Sequence, residues 1–188
     1  MITDGTLLAR IVKIYPALTV EDFHPIYGTI ELQNDSDGKG IIQVKQTVKT
    51  DEFSSTTNGS FFDITGMSVA ITPTSSTSKI LILVNLEVAA PDELCIFRLL
   101  RGSTVINAST VGTSLNGFGM VDGEAYNVSN RCTEDVTCTF LDSPSTTSAT
   151  TYKIQCQKNG SSTMRLNRRN LNNGVGFTSQ ITVMEVSA

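Results

Sequence analysis

The feature that most constrains this chain is the run from Gly40 to Leu86, GIIQVKQTVKTDEFSSTTNGSFFDITGMSVAITPTSSTSKILILVNL. It reads as short β-strands of alternating polarity, punctuated by Ser, Thr, Asn and Gly. Val44, Thr47 and Val48 belong to one strand, Phe62, Ile64 and Met67 to Ile71 to the next, and Ile80 to Val84 form an almost continuous apolar run. Apolar stretches of this length bounded by turn residues mark strands that face a sandwich core. The pattern continues to the C-terminus, with strands expected near 41–50, 60–72, 78–88, 93–101, 103–110, 117–128, 136–141, 149–158, 162–168 and 175–186. Arg101-Gly102-Ser103 reads as a hairpin turn and Ser143 to Thr151 as an exposed loop. Strands in regular succession without helices between them predict an all-β fold, an antiparallel jelly-roll-like β-sandwich over residues 40–188.

Residues 1–39 have a different texture. Leu7, Leu8, Ile11, Val12 and Ile14 recur at helical spacing behind the possible N-caps Thr3 and Asp4, and Pro16 ends the pattern. Two short strands, Thr19 to Phe23 and Gly28 to Leu32, and the turn Asn34 to Gly40 complete a small α+β segment. Forty residues make a poor independent core, so this segment is expected to dock on something else. Its aromatic surface, Tyr15, Phe23, His24 and Tyr27, is the expected docking face.

The 188 residues carry a formal net charge of −4, and about a quarter of them are Ser or Thr. A mildly acidic chain lacks the basic stripe of a nucleic-acid binder; the local cluster Arg165, Arg168 and Arg169 reads as a solvated or inter-subunit patch. No apolar run reaches the length needed to span a bilayer, and MITDGTLLARIV lacks the pattern of a signal peptide. Synthesis in a cytoplasm without membrane insertion is the expectation.

Little in the sequence carries chemistry. The single histidine, His24, would have to serve any Ser-His-Asp or Cys-His site alone, and it sits in a turn. Asp35 and Asp37 resemble the start of a calcium loop but lack the distal glutamate, so an Asx-stabilised turn is the better reading. The carboxylates Asp92/Glu93 and Glu134/Asp135 lie in loop-like segments. The sequence therefore predicts no enzyme, no metal and no cofactor. Asn58, Asn107, Asn127 and Asn159 match glycosylation acceptors in form and read as turn residues. Of the four cysteines, Cys132 and Cys138 bracket a tight segment that permits a disulfide, while burial as small apolar groups is the alternative for all four.

Several segments resemble, in order, the β-sandwich heads of tailed-bacteriophage structural proteins: Gln43 to Phe53, Asp63 to Val88, Phe97 to Ile106, Leu141 to Gln155, and Ser179 to Val186. The first forty residues resemble the small XkdW-type proteins of phage tail gene clusters through Tyr15-Pro16, Asp22-Phe23 and Asp35 to Gly38, although the tryptophan of that pattern is missing. The resemblance implies a virion protein: a tail fibre attached to baseplate or tail proteins, forming homotrimers and reading a host-surface glycan or protein. Its alternative is a capsid decoration or head-fibre protein. Receptor-facing loops are expected at 112–123 and 127–136, with Asn116, Tyr126, Asn127 and Asn130 the candidate contacts.

Overall fold

The computed structural model describes residues 40–90, 94–111, 115–123, 133–169 and 175–188. Among these residues there is no helix, and eleven strands form two antiparallel sheets. The expected N-terminal docking segment, with Tyr15, Phe23, His24 and Tyr27, lies outside the described residues.

The strands are β1 (Ile41–Lys49), β2 (Phe53–Ser55), β3 (Phe61–Ile71), β4 (Lys79–Ala89), β5 (Leu94–Arg101), β6 (Thr104–Asn107), β7 (Gly119–Asp122), β8 (Glu134–Asp142), β9 (Thr150–Asn159), β10 (Met164–Leu166) and β11 (Ser179–Val186). Three pairs share a lane. β11 and β10 lie along the same edge of β4, opposite residues 79–85 and 88–89. β1 and β2 follow them on the outside, and β6 and β7 together line one edge of β5. Each sheet is therefore four lanes wide. Counting lanes in chain order, the first sheet runs 1-8-3-6 (β1/β2, β10/β11, β4, β8) and the second runs 2-7-4-5 (β3, β9, β5, β6/β7). That order, with long crossovers between sheets, is the double Greek key of a jelly roll.

The alternation read from the sequence is what closes the sandwich. On β4, Ile80, Ile82, Val84, Leu86 and Val88 are all buried, and the residues between them face outward. Met67 and Ile71 from β3, Phe97 and Leu99 from β5, and Tyr152 and Ile154 from β9 meet this row. Burying each large side chain contributes about 1.5–3 kcal/mol, and the sheets gain it only in this register. A one-residue slip would turn every apolar side chain outward.

The two lateral edges of the sandwich are tied by polar groups. On one side β1 reaches β3: Thr47 Oγ1 donates to the Ser68 carbonyl at 2.8 Å, and Gln43 Nε2 to the Thr72 carbonyl at 2.8 Å. There β3 carries a register break between Asp63 and Ser68, and Gly66 sits at φ +87° with Lys49 Nζ 3.2 Å from where a Cβ would stand. Glycine meets both demands. On the other side the Asp142 carboxylate accepts from across the sandwich, from Arg101 Nη1 (2.8 and 2.9 Å) and from the buried Tyr152 hydroxyl (2.7 Å). Burial, then the neighbouring carboxylate, push the Tyr152 hydroxyl well above its ordinary range.

Two buried polar groups hold the first sheet together. Asn167, only 3% exposed and at φ +63°, stands where the β10–β11 lane breaks. Its Nδ2 donates to the Lys49 carbonyl (2.8 Å) and the Asp51 carbonyl (3.1 Å), and its Oδ1 accepts from Ser179 Oγ (2.6 Å). Its backbone N–H donates to the Glu87 carbonyl at 2.9 Å. Asparagine tolerates left-handed backbone and supplies both a donor and an acceptor. The second group is Glu185, which follows Ile181 and Val183 into the interior. Its carboxylate accepts from Gln43 Nε2, the Thr74 backbone N–H and Thr74 Oγ1, each at 2.7 Å. Burial alone would raise its pKa, but the bonds from Gln43 and Thr74 outweigh it and bring the group down to about 2.

Two outcomes are expected. Asn167→Ala removes three side-chain hydrogen bonds and strains the backbone, costing about 2–4 kcal/mol by urea denaturation, whereas Asn167→Gly keeps the φ freedom and loses less. For Glu185, the folded pKa lies below the unfolded one, so its contribution is complete above about 4.5 and is lost as pH falls toward about 2. Comparing urea midpoints of the wild type and Glu185→Gln across that window should show a steeper acid loss in the wild type. Parallel curves would contradict the assignment.

Candidate functional site

Beyond the core, the described surface offers a cleft of about 390 Å³ between two edge strands, β8 of the first sheet and β6 of the second. It is lined by Asn107, Ser109, Gly117, Phe118, Thr137 and Thr139, with Ala108 and Cys138 beside them. The reason a cleft forms here is topological. The fifth lane is interrupted between β6 and β7, Gly117 and Phe118 lie against Phe97 of β5, and among the described residues β8 pairs only with β4.

Each lining group is placed by local structure. Thr137 and Thr139 alternate outward on β8, opposite Asn85 and Leu83 of β4. Between them Cys138 turns inward, where it is a free thiol accepting a bond from Asn107 Nδ2 at 3.1 Å. That bond fixes the Asn107 amide at the end of β6. Burial is the main cause holding the Cys138 thiol above its ordinary pKa, so it is a poor nucleophile. Phe118 is fastened by its backbone N–H to the Phe97 carbonyl at 2.8 Å, and the Gly117 carbonyl accepts from the Ser109 N–H at 3.4 Å. A Cβ on Gly117 would fall 2.2 Å from the Phe97 carbonyl oxygen and 2.7 Å from Ile96 Cγ2, so this segment lies against β5 only because the residue is glycine.

The lining is neutral: hydroxyls, an amide, a buried thiol and one aromatic edge. None of its described residues is His, Asp, Glu, Lys or Arg, so these residues offer hydrogen-bonding groups and not a charged acid or base. What it can do is exchange hydrogen bonds with a polar, uncharged ligand. Among the described residues no cluster of His, Cys, Asp and Glu is arranged to hold a metal.

Of the residues singled out from the sequence, Asn116 precedes Gly117, partly covered at the cleft's border. Cys138 is in the lining. Tyr126, Asn127, Asn130 and Cys132 lie outside the described residues, and with them the suggested Cys132–Cys138 pairing. The sequence reading did not pick out Asn107, Ser109, Thr137 or Thr139 as site residues. Asn107, a turn residue by its sequence context, instead ends β6; two threonines on an alternating strand look like any solvated face. The joint signal was only the break in apolar pattern between Asn107 and Gly119.

Gly117→Ala should cost about 1–3 kcal/mol in urea denaturation and displace the cleft border, because the new methyl meets backbone rather than a movable side chain; an unchanged midpoint would show that the segment does not rest on β5 as described. Against known proteins, no protein-family model and no characterised protein sequence matches the chain. Among solved structures it is similar to the infectious bursal disease virus VP2 subviral particle, with a TM-score of 0.40 and 12% identity over 78% of this chain and 38% of that one. The chain thus spans about two-fifths of that protein's length, and the likeness carries no functional weight.

Proposed function

We propose that the chain is a bacteriophage virion structural protein, a tail fibre whose jelly-roll head contributes to host-surface recognition. Residues 1–39 would dock on baseplate or tail proteins, and the head would work as a homotrimer, binding a glycan or protein rather than catalysing a reaction. The observation that carries the reading is the neutral cleft between β6 and β8. A rigid sandwich holds hydroxyl and amide groups beside an aromatic edge, the chemistry that reads sugar hydroxyls or a polar peptide without needing charge. The ordered sequence resemblance to phage β-sandwich heads supports the same reading.

The test combines placement and binding. Cryo-electron microscopy of particles should find this chain at the distal end of the tail, with residues 1–39 toward the baseplate; density on the capsid surface would make it a decoration protein instead. In parallel, Thr139→Lys should reduce adsorption to host cells by about tenfold or more while leaving the urea midpoint nearly unchanged, because Thr139 is solvent-exposed and only the cleft is filled. Undiminished adsorption would remove the cleft from receptor binding.

A further inference from the structure

The two outer faces of the sandwich are built differently. On the second sheet the outer face over β3, β9 and the middle of β5 is a polar network, with the exposed apolar residues Met120 and Val105 confined to the β6/β7 lane. Arg98 donates to Gln155 Oε1 from Nε (2.9 Å) and Nη2 (2.6 Å) and lies over the Phe61 ring at 3.6 Å. Asp63 accepts from Lys153 and Gln155 at 2.8 and 2.7 Å. Such a surface is adapted to water.

The first sheet's outer face is not. Its registers align Val44 with Met184, Met184 with Leu81, and Leu81 with Leu141, so one apolar row crosses all four lanes. Leu83 extends it along β4 and Ile41 along β1. These side chains are on the solvent side, since their neighbours Ile80, Ile82, Val183 and Glu185 are the buried ones. Ile41 is 60% exposed, Val44 50% and Leu141 49%. Among the described residues the rows of this face from Leu81 to Asn85 carry no charge; Lys79 stands at one end of β4, and Glu87, Asp135 and the Arg165–Glu52 pair at the other.

We infer that this face is an interface between copies of the chain. A charge-free patch meets its own copy without repulsion, which a patch of one sign would not, and the core of a self-interface is depleted of charge in this way. The size also fits. Four lanes at ~4.8 Å and about eight residues at ~3.3 Å outline roughly 500 Å². The accessible surface of a side-chain-covered face exceeds its outline and approaches the ~800 Å² per partner of a standard interface. Two such sheets can pack face to face at about 10 Å, as the two sheets of the sandwich do, which makes a two-fold pair rather than the homotrimer of the proposed function. The cleft residues Thr137 and Thr139 border this face, opposite Asn85 and Leu83, so the face is tested most cleanly at Val44, on the lane farthest from the cleft.

Light scattering coupled to gel filtration of the full chain tests it. The wild type should be an oligomer, and Val44→Lys or Leu141→Lys, each at a half-exposed position on an edge lane, should raise its dissociation constant at least ~tenfold with the urea midpoint of the monomer preserved. Thr151→Lys, exposed on the opposite sheet, should leave assembly unchanged. If either lysine variant unfolds, Val44→Thr and Leu141→Thr supply the same comparison with smaller expected effects. A wild-type monomer at about 100 μM, or an oligomer that ignores the first-sheet substitutions, would overturn the proposal.

Discussion

The first sheet depends on one buried junction. Two neighbouring lanes are interrupted, β1 from β2 and β10 from β11, and the breaks face each other across the ribbon. An interruption inside a sheet leaves carbonyls and N–H groups without ladder partners, at about 1–3 kcal/mol each when buried. Asn167 resolves this by behaving as a piece of missing ladder. It bonds the Lys49 and Asp51 carbonyls on one side and the Glu87 carbonyl on the other, and through Ser179 it reaches the Glu87 N–H, which donates to Ser179 Oγ at 3.0 Å. Its own carbonyl accepts from the Phe177 N–H at 2.9 Å, bringing the chain back toward β11. One residue, through its side chain and its backbone N–H, thus joins three lanes, and β4 can carry a continuous apolar row because its neighbours are held in register past their breaks.

The sheet architecture was largely legible because the driving force is local in sequence. Alternation on β4, β9 and β11 is set by which face touches the core, and turn residues such as Gly102 at φ +59° mark where a strand must reverse. β2 was not foreseen: three residues in a Ser- and Thr-rich stretch have no periodicity to detect, and Phe53–Ser55 is a strand only because β10 lies beside it. Glu185 shows the same limit from the other direction. It is the third residue of an inward row, yet a carboxylate there looks like the end of a strand until Gln43 and Thr74, far away in the chain, supply its bonds. Lys158, fully buried in the inward register of Tyr152, Ile154 and Cys156, is a second case. Long-range polar satisfaction leaves no trace in a window of ten residues. The candidate site was illegible for the same reason, since Asn107 and Thr139 become neighbours only when lanes five and six meet at the mouth of the sandwich.

The lateral edges of the sandwich divide the labour between stability and binding. At the β1–β3 edge, side chains donate directly to main-chain carbonyls, so polar groups that would invite another strand are occupied. At the β6–β8 edge the tie is concentrated at one end, in the Arg101–Asp142–Tyr152 cluster, and the remainder is open as the cleft. The consequence is an asymmetry in what substitutions can do. Asp142 and Tyr152 belong to the core through their burial and pairing, so changes there act on folding. Thr137 and Thr139 project from a strand whose inward neighbours Val136 and Cys138 already secure it, so the outward positions can vary without moving the scaffold. A fold of this kind separates the residues that must be kept for stability from those free to match a ligand. That separation follows from period-two alternation on an edge strand, whatever the ligand is.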